Sequence, residues 1–571
     1  MRSLDQVIQS LGLPEGLVHA YGPGVAKIDI AALDALADRP PGQLVVVTGI
    51  TPTPLGEGKT TTAIGVAQGL ARLGHRAAVA LRQASMGPTF GIKGGAAGAG
   101  LSQVEPANRL NLHLTGDFHA VTAAHNLLAA LMDSHLYHAD SVYHADSPAT
   151  TIDPHLRLDP HEVTWRRVLD VDDRALRSVI VGLGGRLDGL PRQTGFDITA
   201  ASELMVLVSL ATSYADLRAR LGRVVVGFDQ AGEPVTAEQL RGAGAMAAIL
   251  RDALSPNLLQ TTEGVPALVH TGPFGNIATG NSSVLADQLG VRLSDFLLTE
   301  AGFGSDLGLE RMVNVKSRVS GVEPAVALLV ATVRAVKAHS GRYSIAPGRP
   351  LPPELLAEDP DAVRAGADNL RRHLQIVRGF GLAPVVAINA FPTDHPSEHA
   401  VLREVAEAEG APCAVTTHVA DGGAGALEVA RALVAACAAA PANTGTGGLR
   451  RSYPLEAPLA DKIEAVARGV YGAEGVDFTP VARAGLERYT RLGYAALPVL
   501  VAKTHLSLSA DPKQRGIPGP WRLPVREVRL AAGAGYVYAI SGDLQTMPGL
   551  GRTPAAAGID LLADGTIVGL H

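Results

Sequence analysis

Leu44-Val45-Val46-Val47-Thr48-Gly49-Ile50-Thr51-Pro52-Thr53-Pro54-Leu55-Gly56-Glu57-Gly58-Lys59-Thr60-Thr61-Thr62 is the stretch from which the fold is read. Its apolar, β-branched start predicts a strand buried on both faces. Pro52, Pro54, Gly56 and Gly58 then break the chain into a loop, and from Lys59 onward apolar residues recur at helical spacing. Strand, glycine loop, Gly-Lys-Thr and helix is the anatomy of a phosphate cradle. Backbone N–H groups and a helix N-terminus face the anion, Lys59 supplies a point charge, and the Thr60 hydroxyl is placed to ligate Mg²⁺. The common P-loop pattern has a glycine where Thr53 stands, so here the turn falls to Gly56 and Gly58. A lysine at a helix start opposes the helix dipole unless an anion offsets it, which favours an anion-binding cradle over a bare strand–helix turn.

Arg76-Ala77-Ala78-Val79-Ala80-Leu81 reads as the next strand and completes a βαβ unit. Ligands of open parallel sheets sit beyond the carboxyl ends of the strands, so Arg82 leaves its strand beside the phosphate loop. A guanidinium fork there matches two phosphate or carboxylate oxygens at once.

The bulk of the chain sets outer bounds. At 571 residues it exceeds one ordinary core, and three or four domains are expected. A formal charge of −6 speaks against an electrostatic nucleic-acid binder. Cys413 and Cys437 are the only cysteines, too few for a disulfide scaffold or a cysteine-based zinc site. The start, Met1-Arg2-Ser3-Leu4-Asp5-Gln6, lacks the apolar core of a signal peptide. Uninterrupted apolar runs stay below the roughly 18 residues a membrane helix needs. The expectation is a cytoplasmic protein without membrane or nucleic-acid partners.

Outward from the cradle, residues 1–42 carry helical signals (Leu4 to Leu11, then Ile28 to Leu36) and read as a packing arm. Tyr137-His138-Ala139-Asp140-Ser141 is repeated as Tyr143-His144-Ala145-Asp146-Ser147; a short duplication extending a surface loop is preferred over a histidine metal site. Val265 to His270 and Phe296 to Thr299 read as buried strands; Glu300 and Asp306 beyond them are carboxylates able to hold Mg²⁺ through water, or else to cap helices and form turns, with the two readings evenly matched for Asp306. Five prolines in 342–360 mark a boundary. Beyond it, Pro384 to Asn389, Cys413 to His418 and Leu497 to Ala502 read as strands. Phe391 leaves the first of them, either as a stacking face for a flat ring or as core filler. Val528 to Ile540, broken by Gly533 and Gly535, reads as a bulged strand or loop pair. The predicted class is α/β: a P-loop-type parallel-sheet domain from 1–135 and 265–345, a smaller inserted α/β domain at 150–264, and a C-terminal α/β domain at 346–571.

Thr-Pro-x-Gly-Glu-Gly-Lys-Thr-Thr, followed from Gly87 by Gly-Pro-x-Phe-Gly-Ile-Lys-Gly-Gly-Ala-Ala-Gly, resembles the formate–tetrahydrofolate ligase family. The resemblance continues through Leu112–Ala120, Arg192–Glu203, His270–Ala278, Thr299–Gly308, Ile388–Asp394 and Thr546–Leu550, and so spans nearly the whole chain. It implies that ATP phosphorylates formate and that N10 of tetrahydrofolate captures the resulting formyl phosphate, giving 10-formyltetrahydrofolate, ADP and phosphate. On that reading Lys59 and Arg82 steady the phosphoryl and formyl oxygens. Thr53, Pro54, Leu55, Gly56, Glu57, Gly58, Lys59 and Thr60 form the cradle, with Mg²⁺ at Thr60, and Phe391 stacks on the pterin. It also implies a homotetramer activated by a monovalent cation, K⁺ or NH₄⁺, with the C-terminal domain contributing to the folate site.

Departures fall mainly on the folate side. Val419 stands where the family has tryptophan in His-Trp-Ala-x-Gly-Gly, removing half of the expected pterin sandwich. Gln83-Ala84 replaces Glu-Pro, His125 replaces Asn, Thr279 replaces His, and His505-Leu506 replaces Gln-Tyr. Two alternatives therefore stay open at this point: a ligase of the same fold using another acid or acyl acceptor, and a non-catalytic nucleotide switch built on the same loop.

Overall fold

The computed structural model describes residues 2–14, 16–54, 56–93, 95–139, 156–185, 187–343, 345, 351–440 and 448–570. Leu55 and all but Tyr137–Ala139 of the duplicated segment lie outside the described residues.

The quoted apolar run forms the strand Gln43–Gly49, in which every residue from Leu44 to Gly49 is buried. Alternation sends Leu44 and Val46 to one core, Val45 and Val47 to another. The second of these cores is closed by the helix Lys59–Arg72 through Ile64, Val66 and Leu70. The strand lies inside a 12-stranded sheet. Phe296–Glu300 and Val326–Ala331 flank it in parallel, Ala77–Leu81 then Pro266–Val269 continue one wing, and Ala383–Asn389 then Cys413–Thr416 continue the other. Seven neighbouring strands are thus parallel and apolar on both faces, the pattern of a sheet covered by helices on each side. Antiparallel strands finish one edge: Asn257–Thr261 pairs with Pro266–Val269 and with Ala26–Ile28, which pairs with Val18–Ala20.

Three expectations change. Residues 18–28 form two edge strands instead of a purely helical arm, leaving a helix at Leu4–Leu11 and a single turn at Ala32–Ala35. The main sheet runs across the boundary expected at 346, because Ala383–Asn389 and Cys413–Thr416 extend it in parallel register. It also reaches into the segment 150–264 through Asn257–Thr261. Among the described residues, the later part of the C-terminal segment builds three small sheets of its own, the largest of three strands. There Val499–Ala502 lies parallel to Tyr536–Ile540, itself the second strand of a hairpin from Glu527–Ala531 that turns at Gly535, φ +85°. The segment 156–255 carries small sheets, with Val225–Asp229 between Pro234–Thr236 and Leu158–Val163, and helices packed around Leu204, Leu221 and Met246.

Among the described residues one helical stretch, His418–Ala439, is long and apolar enough to cross a membrane by length and composition. Its Val429, Ala430, Leu433 and Cys437 are buried against the sheet, as in a core helix.

Glu203, at the first turn of the helix Glu203–Leu210, ties this middle segment to the C-terminal hairpin by accepting N–H donors from Gly533 (2.7 Å) and Ala534 (3.1 Å). Burial pushes its carboxyl up from 4.5 to about 7, against those two hydrogen bonds. The folded chain therefore holds a proton that the unfolded chain releases, and this contribution to stability falls as pH rises from about 4.5 to about 7. Glu203→Gln should flatten that fall. Thermal midpoints taken at pH 5 and pH 8 should show the variant gaining on the wild type at the higher pH, and a pH-independent difference would refute the assignment.

Candidate active site

Because Gln43–Gly49, Ala77–Leu81, Phe296–Glu300 and Ala383–Asn389 run parallel, their carboxyl ends deliver the phosphate loop, Arg82, Glu300 and Asn389 to one edge of the sheet. Gly56 and Gly58 both take positive φ (+73° and +72°), as expected of the residues that make the turn. Gly58 has a second constraint: a Cβ there would lie 2.4 Å from Asn389 Nδ2, which donates to the Glu57 carbonyl at 3.0 Å. Asn389 thus buttresses the loop from a neighbouring strand, a role that its place in Ile-Asn-Ala-Phe-Pro did not announce.

Glu57 faces inward. Its Oε1 accepts from Thr53 N (2.7 Å) and Thr53 Oγ1 (3.1 Å), closing the loop on itself, while Oε2 lies 3.9 Å from Lys59 Nζ. Burial raises its pKa, opposed first by the Lys59 charge and then by the Thr53 hydrogen bonds. Lys59 packs its stem against Gly49, where a Cβ would come within 3.3 Å of Lys59 Cδ.

Glu300 joins the cradle to the arginine. Its Oε2 accepts from Thr60 Oγ1 at 2.8 Å, and its Oε1 lies 3.7 Å from Arg82 Nη2. Arg82 Nη1 donates to Pro273 O at 3.4 Å, and Gly302 leaves room for the guanidinium, a Cβ there lying 3.2 Å from Nη2. Lys59, Thr60, Glu300 and Arg82 therefore form one constellation. The paired oxygens of Thr60 and Glu300 are donors suited to a hard divalent cation. Asp306 does not share that role. It lies buried against Lys503 Nζ at 2.8 Å, so it serves as an internal ion pair.

The approach to the loop is gripped from behind. Asn369 and His373, one turn apart on the helix Pro360–Gly379, both reach Thr51. Thr51 N donates to Asn369 Oδ1 (3.2 Å), and Asn369 Nδ2 donates to Thr51 Oγ1 (2.9 Å). The threonine hydroxyl in turn meets His373 Nε2 at 2.9 Å, and His373 Nδ1 meets Ser305 Oγ at 2.6 Å. His339 Nε2 donates to the Thr51 carbonyl at 2.8 Å. Burial lowers both histidines, His339 to about 4 and His373 to about 3, so these bonds are made by neutral rings.

Phe391 is half-buried at the end of its strand, with the Arg334 guanidinium 3.4 Å from its ring centroid on one face. Val419 is 37% exposed and its carbonyl accepts from Leu101 N. Of the other departures, His125 belongs to the interior and not to a substrate loop: it stacks on Trp165 (4.0 Å) and bonds Ser202 Oγ and Arg166 O. Thr279 is fully buried, whereas His505 stacks on Phe303 at 4.4 Å beside the Glu300 loop.

The formate–tetrahydrofolate ligase family model matches residues 1–571. The chain belongs to that family. Similar proteins include formate–tetrahydrofolate ligases from Cutibacterium acnes, 58% identical over 99% of this chain and 97% of the relative, and from Saccharopolyspora erythraea, 58% identical over 100% and 97%. A ligase from Chloroflexus aggregans is 50% identical over 100% of this chain and 98% of its own. The deviant phosphate loop, with Thr53 where a glycine is usual, is thus carried by a ligase-family member whose match extends over the middle and C-terminal segments as well.

Proposed function

We propose that this ligase-family chain joins formate to tetrahydrofolate with ATP, through formyl phosphate. The observation that carries the reading is the constellation of Lys59, Thr60, Glu300 and Arg82 around one sheet edge. A formate oxygen attacks the γ-phosphorus, the bond to the bridging oxygen of ADP breaks, and formyl phosphate remains between the two cations. N10 of tetrahydrofolate then attacks the formyl carbon, the bond to the phosphate oxygen breaks, and the amine proton leaves. Such transfers depend on positioning and fixed charge more than on covalent participation of the protein. Lys59 and Arg82 hold the oxygens on which charge develops, and Glu300 orients Arg82 and Thr60. Thr60 and Glu300 supply the oxygens that would hold Mg²⁺, which when bound offsets the phosphate charge. Phe391 offers the ring face for the pterin, with Arg334 supporting it from the other side.

The same reading takes the protein as a cytoplasmic homotetramer responsive to K⁺ or NH₄⁺, checked by sedimentation and by assays in K⁺ against Na⁺. Product analysis decides the activity itself. With Mg-ATP, ADP release should need formate and rise further with tetrahydrofolate, and 10-formyltetrahydrofolate should accumulate. Its absence when both substrates are saturating would reject this function in favour of another acceptor.

A further inference from the structure

Away from the phosphate loop, Arg166, Arg177, Arg526 and Arg529 line a cavity of about 200 Å³ together with Tyr538 and Thr546. Three of the four guanidiniums are matched by carboxylates: Arg166 with Asp197 (3.4 Å), Arg526 with Asp543 (2.6 Å) and Arg529 with Glu527 (2.7 Å). Arg177 has no carboxylate partner among the described residues; its Nε donates to the Met547 carbonyl at 2.9 Å, leaving its terminal nitrogens for another acceptor. Four cations against three anions leave one positive charge at the cavity wall.

Three of the sequence blocks meet here, two of which, Arg192–Glu203 and Thr546–Leu550, take no part in the phosphate site described above. Asp197 accepts from Thr546 Oγ1 at 2.6 Å, Ile198 N donates to Thr546 O at 2.8 Å, and Ile277 forms part of the wall. Ile277 also links the cavity to the reacting centre. Pro273, whose carbonyl holds Arg82, lies four residues earlier in the same loop, a span of at most about 14 Å. That is a reach suited to the arm of tetrahydrofolate, which runs from N10 through the p-aminobenzoyl ring to a glutamate with two carboxylates.

We propose that this arginine-lined cavity is the subsite for the glutamyl end of the folate substrate, with Arg177 as the residue that pairs with its carboxylate. The assignment rests on the ligase reading above and deepens it. A planar fork suits a carboxylate better than a lysine would, and a charge-assisted pair is the strong form of the bond.

The test compares three acceptors: tetrahydropteroate, which lacks glutamate, tetrahydrofolate, and tetrahydrofolate extended by γ-linked glutamates. For the wild type, kcat/KM should rise about tenfold or more from the first to the second, the scale of one charge-assisted bond. Arg177→Gln should erase most of that rise through KM, and Arg177→Lys should restore part of it. Equal losses on all three acceptors would mean a structural role or a site for a free anion, and would overturn the assignment. So would an unchanged ratio in both variants. Failure of the wild type to formylate any of the three would instead bring down the ligase reading, and this subsite with it.

Discussion

Lys59→Ala should lower kcat/KM for formylation by about 10²–10³-fold or more while leaving the fold intact, the scale seen when one preorganised donor to a developing charge is removed. The lysine is 11% exposed, its stem lies on Gly49, and among the described residues its charge faces only Glu57, at 3.9 Å. The larger share of its electrostatic work is thus left for the phosphates. The fold tolerates the loss because Glu57, whose pKa burial already raises, can take up a proton once the ammonium is gone. Near-wild-type thermal midpoint and circular dichroism beside a lost turnover would support the role. Turnover within tenfold of wild type would rule it out.

The second large effect is on stability. Lys503 and Asp306 are both essentially inaccessible, 0% and 1% exposed, and their contact at 2.8 Å ties the loop after Phe296–Glu300 to the end of Val499–Ala502. Burial depresses the lysine's pKa and the aspartate opposes that shift. Removing one partner leaves a buried charge uncompensated, so Asp306→Ala should destabilise by about 3–5 kcal/mol. Replacing both, as Asp306→Ala with Lys503→Met, should recover most of the loss, since no ion remains to be solvated. Denaturant unfolding of the wild type, the single variant and the double variant measures this. A single variant within about 1 kcal/mol of wild type would show that water or another group takes over the charge.

How far the sequence foretold these features depends on the range of the interactions. The strand Gln43–Gly49, the glycine turn and the helix from Lys59 were legible because each is a local pattern: a β-branched apolar run, then φ-permissive residues, then helical periodicity. Arg82 was legible for a similar reason, since a βαβ unit dictates where its second strand ends. The placement of Ala383–Asn389 in the main sheet was not. Doubly buried parallel strands all read as the same apolar run, and nothing within such a run names its neighbour. Glu300 ends its strand and Asp306 follows a few residues on, both carrying the same carboxylate. Only the arrival of Lys503, 197 positions later, separates an ion pair from a possible metal ligand. Nothing in the sequence around His125 names Trp165, 40 positions on, as the ring it stacks against. The four arginines of the cavity come from residues 166 to 529 and share no spacing at all.

Thr51 carries a consequence for timing. Its amide, hydroxyl and carbonyl are all engaged by side chains more than 280 positions away in sequence: the Asn369 amide and two histidines, His373 and His339, whose pKa values burial lowers. The ordering entropy of this approach is settled when the chain folds, not when nucleotide arrives. A nucleotide entering this edge of the sheet accordingly meets an approach at Thr51 that is already held in place.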